Sequence, residues 1–182
     1  IQLILSSFPN QMIGKLKKSH IVILGQKINH LEASLIGRFA TNIEDLIFRC
    51  LTMRLIPGEN IRLTEIGALF GISALAMHSY ADQMGKTIIT QVIDPLEGYY
   101  NSGIIDGMTG IPVNKRNLSK NISKMGLTHD EFDVLQGLSN NDDIILNAHK
   151  MNYNYLSIDG DHSFDGVKYD FENYAGHLCK DG

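Results

Sequence analysis

Three short stretches of this chain bring together residue types able to do chemistry. Glu65-Ile66-Gly67-Ala68-Leu69-Phe70-Gly71 has the spacing E-x-G-x-x-x-G, after an apolar run and before Ile72-Ser73-Ala74-Leu75. Glycine at such a turn lets another backbone or a ligand come close, because there is no Cβ. A helix starting there presents free N–H groups. Asp94, 27 residues after Gly67, closes a β-branched run just ahead of Pro95. An acid there can accept hydrogen bonds from the ribose hydroxyls of a nucleoside cofactor; the competing reading is a turn former. The third stretch is Ile158-Asp159-Gly160-Asp161-His162-Ser163. Asp159 and Asp161 share a strand face if the strand persists. A carboxylate such as Asp159 binds a hard divalent cation, and an imidazole such as His162 acts as a general base. The plainer reading makes Asp161 or Ser163 a helix cap and His162 a surface residue.

Alternating strands and helices position these groups. The expected strands are Ile61–Ile66, Thr87–Asp94, Phe132–Gln136 and Tyr153–Ile158, with helices over Ile72–Met84, Asn114–Met125, Asn141–Lys150 and Phe164–Leu178. This pattern implies βαβ units, a parallel Rossmann-like α/β sheet and the strand order 3-2-1-4. Ligands of such sheets bind beyond the carboxyl ends of the strands. Those ends carry Glu65 and Gly67, then Asp94, then Gly137-Leu138-Ser139, then Asp159, Asp161 and His162. The stretch from Leu96 to Val113 is longer than ordinary connections, a mark of a functional loop.

Residues 1–60 read as a mostly helical extension, and 61–182 as the cofactor-binding domain. Leu31, Leu35, Phe39, Ile43, Leu46, Ile47, Cys50 and Leu51 recur at helical steps. Thr41-Asn42-Ile43-Glu44 has capping-box spacing, and Pro57-Gly58 ends the helix. Ser19–Gly25 reads as a short strand.

Residues 61–182 hold nine Lys/Arg against sixteen Asp/Glu, a balance of −7, which argues against a nucleic-acid partner. No apolar run reaches the ~20 residues of a membrane span. Cys50 and Cys179 form no disulfide framework or metal motif, and reduced thiols suit a cytoplasmic protein.

The E-x-G-x-x-x-G turn resembles the first motif of class I S-adenosylmethionine (SAM) dependent methyltransferases. Nicotinamide dinucleotide sites use G-x-G-x-x-G, a closer glycine pair that this chain lacks. The run Ile158–Val167 and the segment Ile93–Tyr100, continuing to Gly110–Val113 and Asn117-Leu118, resemble the group related to sugar and natural-product O-methyltransferases, some of whose members are labelled cephalosporin-hydroxylase-like. The resemblance covers about residues 60–182. It implies SAM binding by Glu65, Gly67, Ala68, Gly71, Ser73, Asp94, Gly137, Ser139 and Asp159, with Asp159 a metal ligand (magnesium the candidate) and His162 the base. The implied reaction is O-methylation of a small-molecule or sugar hydroxyl. The acceptor itself is not readable; Tyr99, Tyr100 and the loop to Pro112 are candidates to line its site, with packing the competing reading. Gly137-Leu138-Ser139 departs from the acidic adenine contact common after the third strand. The resemblance also implies further strands beyond Gly182, so a longer protein, or a second copy covering the fourth-strand edge, is expected. The other readings are a cofactor-binding module without turnover and a nicotinamide oxidoreductase.

Overall fold

The computed structural model describes residues 16–98 and 103–180. Four strands, β1 (Asn60–Ile66), β2 (Thr87–Asp94), β3 (Phe132–Gln136) and β4 (Tyr155–Ile158), form one parallel sheet in the order β3-β2-β1-β4. This is the expected Rossmann-like α/β arrangement. The register sets Ile66 beside Ile93 and Ile158, and Asp94 beside Gln136. The carboxyl ends of all four strands therefore share one rim. β1 is buried from Ile61 onward except for the half-buried Arg62, and β2 is buried from Thr90 to its end, as continuous apolar runs require in a sheet covered on both faces. Among the described residues no strand pairs with the outer edge of β4.

Among the described residues six helices surround the sheet: α1 (Lys18–Ser34), α2 (Ile43–Thr52), α3 (Ile72–Gln83), α4 (Lys115–Lys124), α5 (Asp142–His149) and α6 (Phe164–Tyr174). None is long and apolar enough to cross a membrane. Leu46, Ile47, Cys50 and Leu51 of α2 share one buried cluster with Ile61 and Leu63 of β1 and Ala76 and Met77 of α3. Each buried leucine, isoleucine or methionine there contributes roughly 1.5–3 kcal/mol, so α2 is packed firmly onto β1 and α3.

Besides one-residue shifts at the ends of β1, α3, α4 and α5, several features differ from expectation. Ser19–Gly25 lies inside α1, not in a strand, because Ile21, Leu24 and Ile28 recur at helical steps and are buried together. The cap of α2 is Asn42, whose side chain accepts from the Asp45 N–H at 2.7 Å, while Thr41 donates its hydroxyl to the Asp45 carboxylate. β4 begins at Tyr155 because Asn152 has a left-handed backbone (φ 50°) and Tyr153 turns inward, its hydroxyl donating to the Tyr174 carbonyl at 2.5 Å. The last helix ends at Tyr174 in a 3-10 turn over Ala175–His177. Tyr99 and Tyr100 lie outside the described residues. Both cysteines are free thiols.

Candidate functional site

A cleft of about 560 Å³ opens at the carboxyl rim of the sheet. That volume falls in the ordinary range for small-molecule sites. The β1 turn lines it with Gly67, Ala68 and Leu69, and α3 with Ser73. β2 contributes Asp94, and the loops after β3 and β4 contribute Gly137, Ser139, Asp159 and His162. Winding reverses between β1 and β4, so this is where the topology places a ligand.

Gly67 has φ 87°, and a Cβ there would lie 2.2 Å from the Asp159 carbonyl oxygen and 2.7 Å from the Gly160 nitrogen. The close neighbour that requires glycine is thus the end of β4, so Gly67 fixes the seam between the first and third motifs.

Asp94 is 8% exposed and faces this turn. Its Oδ2 accepts from the Ala68 N–H at 2.7 Å and the Leu69 N–H at 2.8 Å, and its Oδ1 accepts from the Leu96 N–H at 2.6 Å. Leu69 and Leu96 are two of three described non-glycine residues with positive φ, 51° and 58°. Backbone of this kind costs of order 1–3 kcal/mol per residue and survives only where its surroundings hold it; here Asp94 holds both. Burial pushes the Asp94 carboxyl upward, and the N–H groups of Leu69, Leu96 and Ala68 oppose that shift.

Glu65 and Gly71 lie outside the cleft lining and support it from beneath. Glu65 is fully buried, and burial raises its carboxyl to about 8 against the lowering effects of Arg49 and Ser73. Its Oε2 accepts from the Ser73 hydroxyl at 2.8 Å, tying the end of β1 to the first turn of α3. Gly71 precedes α3 with φ 75°, and its N–H donates to the Ala68 carbonyl at 2.6 Å. The Gly137 N–H donates to the Asp94 carbonyl at 3.1 Å, and the Ser139 carbonyl accepts from the Tyr174 hydroxyl at 2.8 Å.

At the far rim, Asp159 Oδ1 meets His162 Nε2 at 3.1 Å. Asp161 plays the plainer of its two roles: it accepts the Ser163 N–H at 2.8 Å and hydroxyl at 3.0 Å, contacts that hold it below the usual carboxylate range. Ser163 in turn caps α6 by accepting the Gly166 N–H at 3.0 Å.

Arg49 and the Phe39-Ala40 pair are site residues that the sequence reading passes over. Phe39 and Ala40 line the cleft. Arg49 reaches from α2 to Asp159 Oδ2 at 3.1 Å, Glu65 Oε1 at 3.5 Å and Asp45 Oδ2 at 2.6 Å. The sequence signal was available: Asp45 and Arg49 form an i,i+4 pair beside the apolar stripe Leu46-Ile47-Cys50. This geometry does not suit magnesium at Asp159. One carboxylate oxygen faces a guanidinium and the other an imidazole, and among the described residues no three His, Cys, Asp or Glu side chains gather to hold a metal.

The cleft is acidic. Asp94, Glu97, Asp159 and Asp161 line it, and among the described residues no Lys or Arg does. The anion-binding turn before α3 is also filled from within, because the Ala68 and Leu69 N–H groups are spent on Asp94. No known family model matches this chain, and no curated protein matches it.

Proposed function

We propose that the cleft binds SAM and that the protein is a SAM-dependent methyltransferase acting on a hydroxyl of a small molecule or sugar. The observation that carries this reading is the chemistry of the turn. In a dinucleotide site the N–H groups of the glycine turn and the helix start receive a pyrophosphate. Here Asp94 takes two of those donors, and among the described residues no lining Lys or Arg replaces them. An acidic cleft repels phosphates and favours a ligand of net positive charge, one that sets a sulfonium and an ammonium against a single carboxylate. This disfavours a nicotinamide cofactor on grounds independent of glycine spacing.

When bound, SAM supplies an electrophilic methyl group. Asp94 spends three of roughly four acceptor positions on backbone, which leaves one at Oδ1 for a ribose hydroxyl. Ser139 and Gly137 flank the adenine end. His162, with Nε2 3.1 Å from Asp159 Oδ1, is the base that takes the proton of the acceptor hydroxyl. No step is assigned to a metal, because Asp159 is engaged by Arg49.

Titration calorimetry with S-adenosylhomocysteine and, separately, NADH tests the reading. Saturable heat with the first and none with the second is expected. The reverse would transfer the cleft to the oxidoreductase class. Binding without turnover on any hydroxyl acceptor would support a module without catalysis.

A further inference from the structure

Three carboxyl groups from three different elements converge on one side chain. Arg49 of α2, only 15% exposed, places Nη2 2.6 Å from Asp45 Oδ2 and 3.1 Å from Asp159 Oδ2. Its Nη1 lies 3.5 Å from Glu65 Oε1 and donates to the Ser157 hydroxyl at 3.1 Å, and its Nε donates to Asp45 Oδ2 at 2.8 Å. The planar guanidinium is the one side chain able to serve several acceptors in fixed directions while staying charged at any ordinary pH. Asp159, so held, offers its other oxygen to His162 Nε2 at 3.1 Å.

We propose that Arg49 is a positioning residue of this cleft: its guanidinium fixes Asp159, Asp159 fixes the tautomer and aim of the His162 ring, and the guanidinium supplies at this spot the positive charge for which a divalent cation would otherwise be recruited. The catalytic consequence rests on the reading of His162 as the base; the Arg49–Asp159–His162 arrangement itself does not. The relay crosses the chain from a helix that comes before the first strand to the loop after the fourth. Helix α2 is therefore part of the site and not an accessory to it. The reason is electrostatic. Without Arg49, Asp159 and Asp45 would face one another across a gap beside a buried Glu65, an arrangement that draws in a cation or a proton.

The test uses the full chain labelled with 15N, held at pH 8, where an ordinary imidazole is neutral. The ring nitrogens of His162 report the tautomer, and line broadening by added Mn²⁺ reports metal at Asp159. Wild type should show the Nε2–H tautomer alone, with no broadening at micromolar Mn²⁺. Arg49→Gln should show both tautomers and bind Mn²⁺ at least tenfold more tightly, and Arg49→Lys should recover most of the wild-type pattern. A wild-type ring protonated on Nδ1, wild-type broadening at micromolar Mn²⁺, or a folded Arg49→Gln protein with an unchanged tautomer would each overturn the proposal. If Arg49→Gln does not fold, Asp159→Asn decides instead. It leaves Arg49 on Asp45 and Glu65, and it too should release His162 into both tautomers; an unchanged ring would refute the relay. Failure of S-adenosylhomocysteine to bind the wild type would defeat the cofactor reading while leaving these tautomer results standing.

Discussion

Removing the Asp94 carboxylate should do more than weaken a ligand. Its oxygens accept three backbone N–H groups, from Ala68, Leu69 and Leu96, all within 2.6–2.8 Å. A buried donor left without a partner costs about 1–3 kcal/mol. Three such losses set an upper range of about 3–9 kcal/mol, reduced where water from the cleft reaches the freed groups. The left-handed backbone at Leu69 and Leu96 then loses its restraint, and relaxation of the turn recovers part of the cost. Asp94→Ala should therefore lower the unfolding free energy by roughly 3–5 kcal/mol, a large share of a typical domain's 5–15 kcal/mol. Asp94→Asn keeps an acceptor for one side but turns an amide N–H₂ toward the other donors, so it should lose about 2–4 kcal/mol. Urea denaturation followed by circular dichroism measures both. Binding of S-adenosylhomocysteine by the folded fraction should also weaken by about 1–3 kcal/mol, the scale of a hydrogen bond to a charged group. A stability loss below about 1 kcal/mol for Asp94→Ala would refute the claim that this carboxylate clamps the turn.

Other expectations follow from the same geometry. Gly67→Ala places a Cβ 2.2 Å from the Asp159 carbonyl at φ 87° and should destabilise by about 3 kcal/mol or more, measured in the same denaturation assay; a neutral outcome would mean the β1–β4 seam is looser than described. Asn121 is fully buried, accepts the Ile36 N–H at 2.8 Å and donates to the carbonyls of Ile36 and Phe70, so Asn121→Ala should cost about 2–4 kcal/mol and expose the 35–42 segment to proteolysis; unchanged proteolysis would contradict it. Glu65 keeps its proton to about 8 when folded and releases it near 4.5 when unfolded, so between those values the native state holds more protons and stability falls as pH rises. Glu65→Gln should remove that slope, on the order of a few kcal/mol from pH 5 to pH 8; equal slopes in both proteins would show that Glu65 titrates ordinarily.

The sheet was legible because apolar runs such as Ile88–Ile93 and acids or glycines at strand ends recur in step with helical intervals, and parallel topology then leaves few arrangements. The rim was legible for the same reason: Asp94 and Asp159 had to share it. What the sequence withheld was partnership. Nothing local distinguishes an Asp94 that faces a ribose from one that fills a turn, since both sit at the same strand end and differ only in where the neighbouring loop folds. The i,i+4 pair of Asp45 and Arg49 was visible, but the reach of Arg49 into the site was not, because Glu65 and Asp159 are 16 and 110 residues away and a charged residue beside an apolar helical stripe ordinarily points to water. Ser19–Gly25 was misread because the adjacent Ile21, Val22, Ile23 and Leu24 resemble a strand, while the burial that decides the matter falls on Ile21, Leu24 and Ile28.

The central claim, that the acidic rim cleft takes SAM and not a phosphate-bearing dinucleotide, is tested most directly by one calorimetric titration of the protein with S-adenosylhomocysteine in the presence of EDTA. Saturable one-to-one binding is expected that survives metal removal, is sharply weakened by Asp94→Ala in protein shown to be folded, and is not displaced by NADH. No heat with S-adenosylhomocysteine, alongside saturable binding of NADH, would contradict it.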